Sequence, residues 1–171
     1  MSVSIRRATA DDADFLVELV NHADVEPFLA AVRAKSRAEI LVEIERSESE
    51  HEAFGIFLIE VDGERAGTMR YERANRRSRI ADLSGLAVHP SFRGGKAADT
   101  AARLFQRHLI EDLGFHRVQL EIYGFNERAM RHAERAGFTR EGVRRKAYWR
   151  SDEWVDGVLY GLVAEDLDVD S

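Results

Sequence analysis

The chain has no cysteine, which excludes disulfides, thiolate metal sites and a cysteinyl intermediate in any acyl transfer. No stretch approaches the roughly 20 apolar residues of a membrane span. The opening MSVSIRRATADDADFL carries no apolar run of the secretory kind, so the expected address is the cytoplasm, with no membrane partner. A cationic excess is missing too. With 31 acidic against 25 basic residues the net charge is −6, which repels a phosphate backbone and argues against nucleic acid as a partner. His89, His108, His116 and the other histidines show no metal-ligand spacing, and no metal is expected. Proline occurs twice, at Pro27 in a loop and at Pro90 after a strand.

What is present is ordinary globular composition, 44% hydrophobic and 33% charged over 171 residues. A chain of this length suits one domain, residues 1–171, burying roughly 70% of its unfolded surface. SVSIRRA reads as a short strand, and Thr9 or Asp11 caps a helix running through Asp14 to about Val20. RAEILVEIERSESE places Ile40, Leu41 and Ile44 at helical spacing opposite charges. AFGIFLIEV and RAGTMRYE flank the turn signal Asp62-Gly63 and predict a hairpin. After the polar stretch Asn75 to Ser78, RIADLSGLAV is a third strand.

KAADTAARLFQRHLIEDLG sets Ala97, Ala101, Phe105, Leu109 and Leu113 at steps of four, with Gly114 to end the helix. VQLEIYG reads as a buried strand and NERAMRHAERAG as a helix closed by Gly137; this strand-helix-strand order implies a parallel pair. FTREGVRRKAYWR and EWVDGVLYGLVA flank Ser151-Asp152 and predict a closing hairpin.

Chemistry concentrates where LSGLAV runs through His89, Pro90, Ser91 and Phe92 into Arg93-Gly94-Gly95-Lys96-Ala97-Ala98. The amides of a helix N-terminus, backed by its dipole, suit an anion such as a pyrophosphate. Small side chains at Gly94, Gly95, Ala97 and Ala98 let a phosphate approach the backbone. The alternative is that the two glycines only make the turn. The loop is neither a Walker A nor GxGxxG.

The segment resembles the cofactor loop of the GNAT superfamily of N-acetyltransferases, Arg/Gln-x-x-Gly-x-Gly/Ala after a central strand. Here the first and last positions match, and Lys96 stands at the fourth, where glycine is usual. Asn126, followed eleven residues on by Gly137-Phe138, is a second similarity, and the tail GVRRKAYWRSDEWVDGVLYGL looks like the RimJ/RimL-type branch, which acetylates α-amino groups of ribosomal proteins. The resemblance covers about residues 3 to 165. It implies an α/β (α+β) fold with a mostly antiparallel sheet of about seven strands, a parallel pair at the cofactor site and flanking helices.

It further implies an acetyl-CoA-dependent enzyme acting on a primary amine, a protein α-amino group or a small molecule, by direct attack in a ternary complex. Cofactor contacts would come from Leu86, Ala87 and Val88, whose main-chain amide polarises the thioester, from Arg93 to Ala98, and from Asn126. Asp82 matches the position of a glutamate base, and the bland reading pairs it with Arg70. The familiar acid positions hold Ala129 and Ala133, leaving His132, Tyr123 or Tyr148 as substitutes or as packing residues. A non-catalytic acyl-CoA-binding module is the rival reading.

Gly85 marks a bulge or a plain strand residue. Arg70, Arg73, Arg76, Arg77 and Arg79 form a basic run around a predicted hairpin, suited to an acidic substrate face or the cofactor's phosphates, or else a solvated loop. Trp149 and Trp154 flank the last turn as acceptor pocket, sheet packing or dimer contact, and the long terminal hairpin offers a surface for a homodimer.

Overall fold

The computed structural model describes residues 1–25 and 34–167; the loop expected around Pro27 lies outside them. Seven strands, β1 Val3–Arg7, β2 Phe54–Val61, β3 Glu64–Asn75, β4 Ile80–Val88, β5 Arg117–Tyr123, β6 Thr139–Arg150 and β7 Glu153–Val163, accompany helices α1 Ala13–Val20, α2 Arg37–Ser49, α3 Ala97–Arg107, α4 Glu127–Arg135 and the short α5 Ala164–Leu167. They form one mixed sheet in the order β1-β2-β3-β4-β5-β7-β6. The chain divides into two compact units, Met1–Arg73 with Leu83–Phe105, and Ala74–Asp82 with the chain from Gln106 onward.

In the first unit, β1, β2 and β3 pair antiparallel, and Asp62 (φ 50) and Gly63 (φ 82) make the two-residue left-handed turn that matches strand twist. Thr9 opens a 3-10 turn into α1, its amide donating to the Asp12 carboxylate, and Ser36 opens α2 through a reciprocal capping box with Glu39. The inner faces of these helices, Leu16, Ile40 and Ile44, pack with Phe54, Ile56 and Leu58. Phe105 of α3 lies 5.1 Å from Phe57 and 6.1 Å from Tyr71, centroid to centroid. Phe105 is 2% exposed, so α3 is anchored by a fully buried ring.

Beyond Arg107 the expected single helix departs from α geometry. His108–Asp112 is π-helical, with the Leu113 amide bonded to the His108 carbonyl at 3.1 Å. Apolar residues every four positions drift about 40° per step around an ideal helix, and one widened i→i+5 turn offsets that drift. Gly114 (φ 78) then ends the segment as expected.

The second unit is built on β5. Its parallel pairing with β4 runs Ile80↔Arg117, Ala81↔Val118 and Asp82↔Gln119. Antiparallel β7 and β6 follow, joined by the turn at Ser151 (φ 51) and Asp152 (φ 60). The structure corrects the reading of β5 as wholly buried. Val118 and Ile122 are buried, but Arg117, Gln119, Glu121 and Tyr123 alternate with them on a face that is only partly covered. α4 closes at Ala136, whose carbonyl accepts from buried Gln106 Nε2 at 2.9 Å, satisfying an orphan acceptor at the helix end.

Asp12 is a buried charge of the first unit, with no exposure. Burial alone raises its carboxyl pKa. Hydrogen bonds from Arg6 (2.7 and 2.8 Å), the Thr9 amide (2.8 Å) and Arg65 (2.7 Å) outweigh burial and hold it well below the usual carboxylate range. A depressed folded pKa contributes stability above the unfolded value, and that stability is lost as pH falls toward the folded value. Asp12→Asn is therefore expected to cost about 2 kcal/mol at pH 7, below the range for fully buried pairs because both arginines reach solvent. Urea titrations should show the gap between wild type and variant narrowing once pH drops below about 4.

Candidate functional site

The end of β4 is held against β3 in the first unit. A Cβ on Gly67 would collide with the Ala87 carbonyl oxygen and lie 3.2 Å from Val88 Cα, so only glycine permits this approach. The His89 amide bonds the Ala66 carbonyl at 2.8 Å. Ala87 packs with Leu19 and Val25, while Leu86 is 38% exposed. Gly85 has φ 64 within the strand, where a Cβ would sit 2.8 Å from Arg70 Cδ. The left-handed conformation supports the reading of Gly85 as an irregularity in the strand.

His89 turns the chain out of the strand. Its Nδ1 lies 2.7 Å from Ser91 Oγ and accepts from the Ser91 amide at 3.2 Å, while its Nε2 is 3.0 Å from Glu18. Pro90–Phe92 forms one 3-10 turn. Arg93 donates from Nη2 to the Asp24 carbonyl at 2.9 Å. Gly94 (φ 87) makes the left-handed step, and a Cβ there or on Gly95 would meet little, with Met1 Sδ at 3.9 Å from the latter. Gly94 is thus required by conformation, and the glycines face open space.

Lys96 is exposed, and its side chain has no hydrogen bond or ion pair among the described residues. Ala97 is buried with Val61, Ala66 and Phe92, which fastens the start of α3. Ala98 is half-buried. The first-turn amides of α3 lack acceptors within the helix. The sequence reading did not weigh Asp99, a half-buried acid in that same turn, which favours the helix and opposes an incoming anion.

In the second unit Asp82 is exposed and accepts from Gln119 Nε2 at 2.7 Å. Arg70 does not pair with it, as the bland reading supposed; Arg70 bonds Glu43 at 3.1 Å. Gln119 Oε1 in turn accepts from Arg117 Nε at 2.9 Å, and the Arg117 guanidinium grips Glu141. That hydrogen bond depresses the Glu141 carboxyl.

Asn126 is the N-cap of α4, its side-chain oxygen accepting from the Ala129 amide at 3.1 Å. The role is structural, and it leaves the carboxamide nitrogen for another partner. Ala133 is buried, His132 half-buried. Tyr148 donates to Glu121, at 2.7 Å to Oε2. That bond, reinforced by burial, raises the tyrosine pKa. Sequence reasoning missed Glu121 and Gln119, although period-two polarity in RVQLEIY was a usable signal. Trp149 and Trp154 face each other across the terminal turn, 55% and 58% exposed, in an edge-on contact at 5.1 Å. They staple the hairpin tip. Among the described residues no cluster of three metal-ligating side chains occurs, and no helix is long and apolar enough to cross a membrane.

Residues 2–139 match the family described as "Acetyltransferase (GNAT) domain". An uncharacterized N-acetyltransferase, YokL of Bacillus subtilis, is 29% identical over 84 residues, 49% of this chain and 48% of its own, so the match spans about half of that relative. The spermidine N(1)-acetyltransferase of Escherichia coli is 26% identical over 147 residues, 82% of this chain and 75% of its own. The solved spermidine N-acetyltransferase of Vibrio cholerae, in complex with CoA and spermine, superposes with a TM-score of 0.87 at 18% identity, covering 96% of each chain.

Gly94→Ala is expected to cost about 1 kcal/mol through its left-handed backbone, and Gly95→Ala little. Asn126→Ala should lose about 1 kcal/mol of cap while Asn126→Asp retains it. Thermal and urea unfolding of the four variants check both pairs.

Proposed function

The chain belongs to the GNAT acetyltransferase family, and from that premise we propose that it transfers acetyl from acetyl-CoA to a primary amine by direct attack in a ternary complex. One observation carries the reading: β4 ends against β3 through Gly67, and a left-handed Gly94 delivers the chain into an α3 N-terminus flanked by an exposed lysine. Acetyl-CoA supplies a thioester whose thiolate, with a thiol pKa near 8.5, leaves with little protonation.

The chain's own residues do the rest of the work. First-turn amides of α3 with Lys96 hold the pyrophosphate, Arg93 braces the loop on Asp24, and Gly94, Gly95, Ala97 and Ala98 keep it open. Main-chain groups of Leu86, Ala87 and Val88 align the pantetheine arm and polarise the thioester. An alkylammonium with pKa near 10 must lose a proton before attack. Asp82, held by Gln119, is assigned that role, directly or through water. Asn126, its oxygen engaged as a cap, offers its amide nitrogen to cofactor or an ordered water.

For the acceptor, the named relatives support a polyamine, and the net charge of −6 favours approach of a cation. A protein α-amino group, as in the RimJ/RimL-type branch, is the competing acceptor within the same chemistry. Residues 1–171 are assigned to one catalytic domain acting in the cytoplasm, with the terminal hairpin as the surface for a homodimer.

A second reading, a non-catalytic acyl-CoA-binding module, is favoured by Ala129 and buried Ala133 at the familiar acid positions. Calorimetry should detect acetyl-CoA binding, and Lys96→Glu should weaken it about tenfold, or 1.4 kcal/mol. Absence of binding at hundreds of micromolar overturns both readings. Thiol release with spermidine and with N-terminal peptides separates them: turnover above hydrolysis eliminates the module, and its absence across the panel eliminates the enzyme.

A further inference from the structure

On one face of the second unit, glycines of β7 make room for side chains from β5 and β6. β5 presents Gln119, Glu121 and Tyr123 on that face, and the β7 residues paired with the first and last are Gly161 and Gly157. A Cβ on Gly157 would collide with Glu121 Oε2 and come within 2.7 Å of Tyr148 Cε2. A Cβ on Gly161 would lie 2.6 Å from the Arg117 guanidinium and from Glu141 Oε1. β6 loses register between Arg144 and Tyr148, and the Lys146 amide at the irregularity is caught by Asp156 Oδ1 at 2.7 Å. A bulge of this kind re-aims the side chains beyond it.

The two carboxylates Glu121 and Glu141 differ in their partners. Glu141 is gripped by both terminal nitrogens of Arg117. Glu121, with its side chain 24% exposed, accepts a hydrogen bond from the neutral hydroxyl of Tyr148, and its ion pair with Arg144 Nη1 is a long one, 3.8 Å, to a side chain 61% exposed. The tyrosine that bonds the carboxylate belongs to an aromatic cluster. Tyr123 meets Tyr148 edge-on at 5.6 Å and stacks on Phe125 at 5.4 Å. Tyr123 already attracts a cation, with Arg150 Cζ 5.2 Å above its ring. A partly desolvated carboxylate beside an aromatic cluster is the chemistry that takes an alkylammonium, by charge and by cation–π attraction.

We propose that Glu121, oriented by Tyr148, is the specificity-determining carboxylate that binds the charged end of a cationic acceptor amine. The proposal rests on the acetyltransferase reading and adds to it the residue that selects the acceptor. Tyr148 is then an orienting donor. Its raised pKa keeps the hydroxyl protonated and bound to Glu121, which fits a positioning role. Arg144 is an internal competitor for the same carboxylate.

Calorimetry with spermidine as the probe, on CoA-saturated full-length protein, tests this. Glu121→Gln keeps the shape and removes the charge, and is expected to bind spermidine at least about tenfold more weakly. Arg144→Ala removes the competitor and should bind about threefold more tightly. Tyr148→Phe should bind about threefold more weakly through lost orientation. Acetyl-CoA affinity should change less than about twofold in all three, a separation that general destabilisation does not produce.

Unchanged spermidine affinity in Glu121→Gln overturns the proposal. So does a wild-type protein that binds acetyl-CoA but not spermidine, an outcome that leaves the acetyltransferase reading standing. Loss of acetyl-CoA binding in wild type fails that reading itself, and this proposal with it. If Glu121→Gln does not fold, the other two variants decide: opposite shifts support the proposal, and no shift in either overturns it.

Discussion

The close approach of β4 to β3 at Gly67 is the constraint on which the first unit's site depends. With no side chain at Gly67, the Ala87 carbonyl settles over the neighbouring strand and the His89 amide reaches the Ala66 carbonyl. Those contacts fix where β4 stops, and so where the chain can turn. The His89–Ser91 turn, the left-handed step at Gly94 and the burial of Ala97 beside Val61 and Ala66 follow in sequence along nine residues. A larger residue at position 67 would displace the end of β4, and the loop and helix start would lose their common reference. The proposed site is a backbone site, which is why its residues are small and its side-chain demands few.

The second unit uses the same device to the opposite end. Gly157 and Gly161 on β7 make room for side chains, letting Glu121, Tyr148, Arg117 and Glu141 lie over the sheet. One strand, β5, therefore serves two environments. Val118 and Ile122 enter the core, and the alternate residues carry polar chemistry. The continuous line Glu141, Arg117, Gln119, Asp82 shows how charge is handled there, each polar atom meeting the next. Glu121 stands outside that line, bonded to the Tyr148 hydroxyl and paired only at 3.8 Å with the exposed Arg144 guanidinium among the described residues.

Much of the fold was legible from local rules. The second helix announced itself through Ile40 and Ile44 on one face. The hairpins were marked by Asp62-Gly63 and Ser151-Asp152, residues that tolerate the left-handed turn they adopt. The failures came where local pattern and three-dimensional context diverge. The four-residue spacing in Ala97 to Leu113 read as one helix, yet the π turn at His108–Asp112 was needed to keep the apolar stripe on one side. The apolar flavour of VQLEIYG hid its period-two polarity. Arg70, the supposed partner of Asp82, instead bonds Glu43 of α2.

By itself the sequence determined the order of elements, the turn chemistry, the small-residue loop from Arg93 to Ala98 and, through its resemblance, the family. These depend on neighbours within a few positions, where backbone conformational preference and periodicity act directly. Only the tertiary structure decided which side chains meet. It assigned Gln119 to Asp82, Glu43 to Arg70, Tyr148 to Glu121 and the Asn126 oxygen to a helix cap. It also revealed why Gly67, Gly157 and Gly161 are glycines. Such assignments join strands and helices distant in the chain, and they follow from register and close packing, which no local preference encodes.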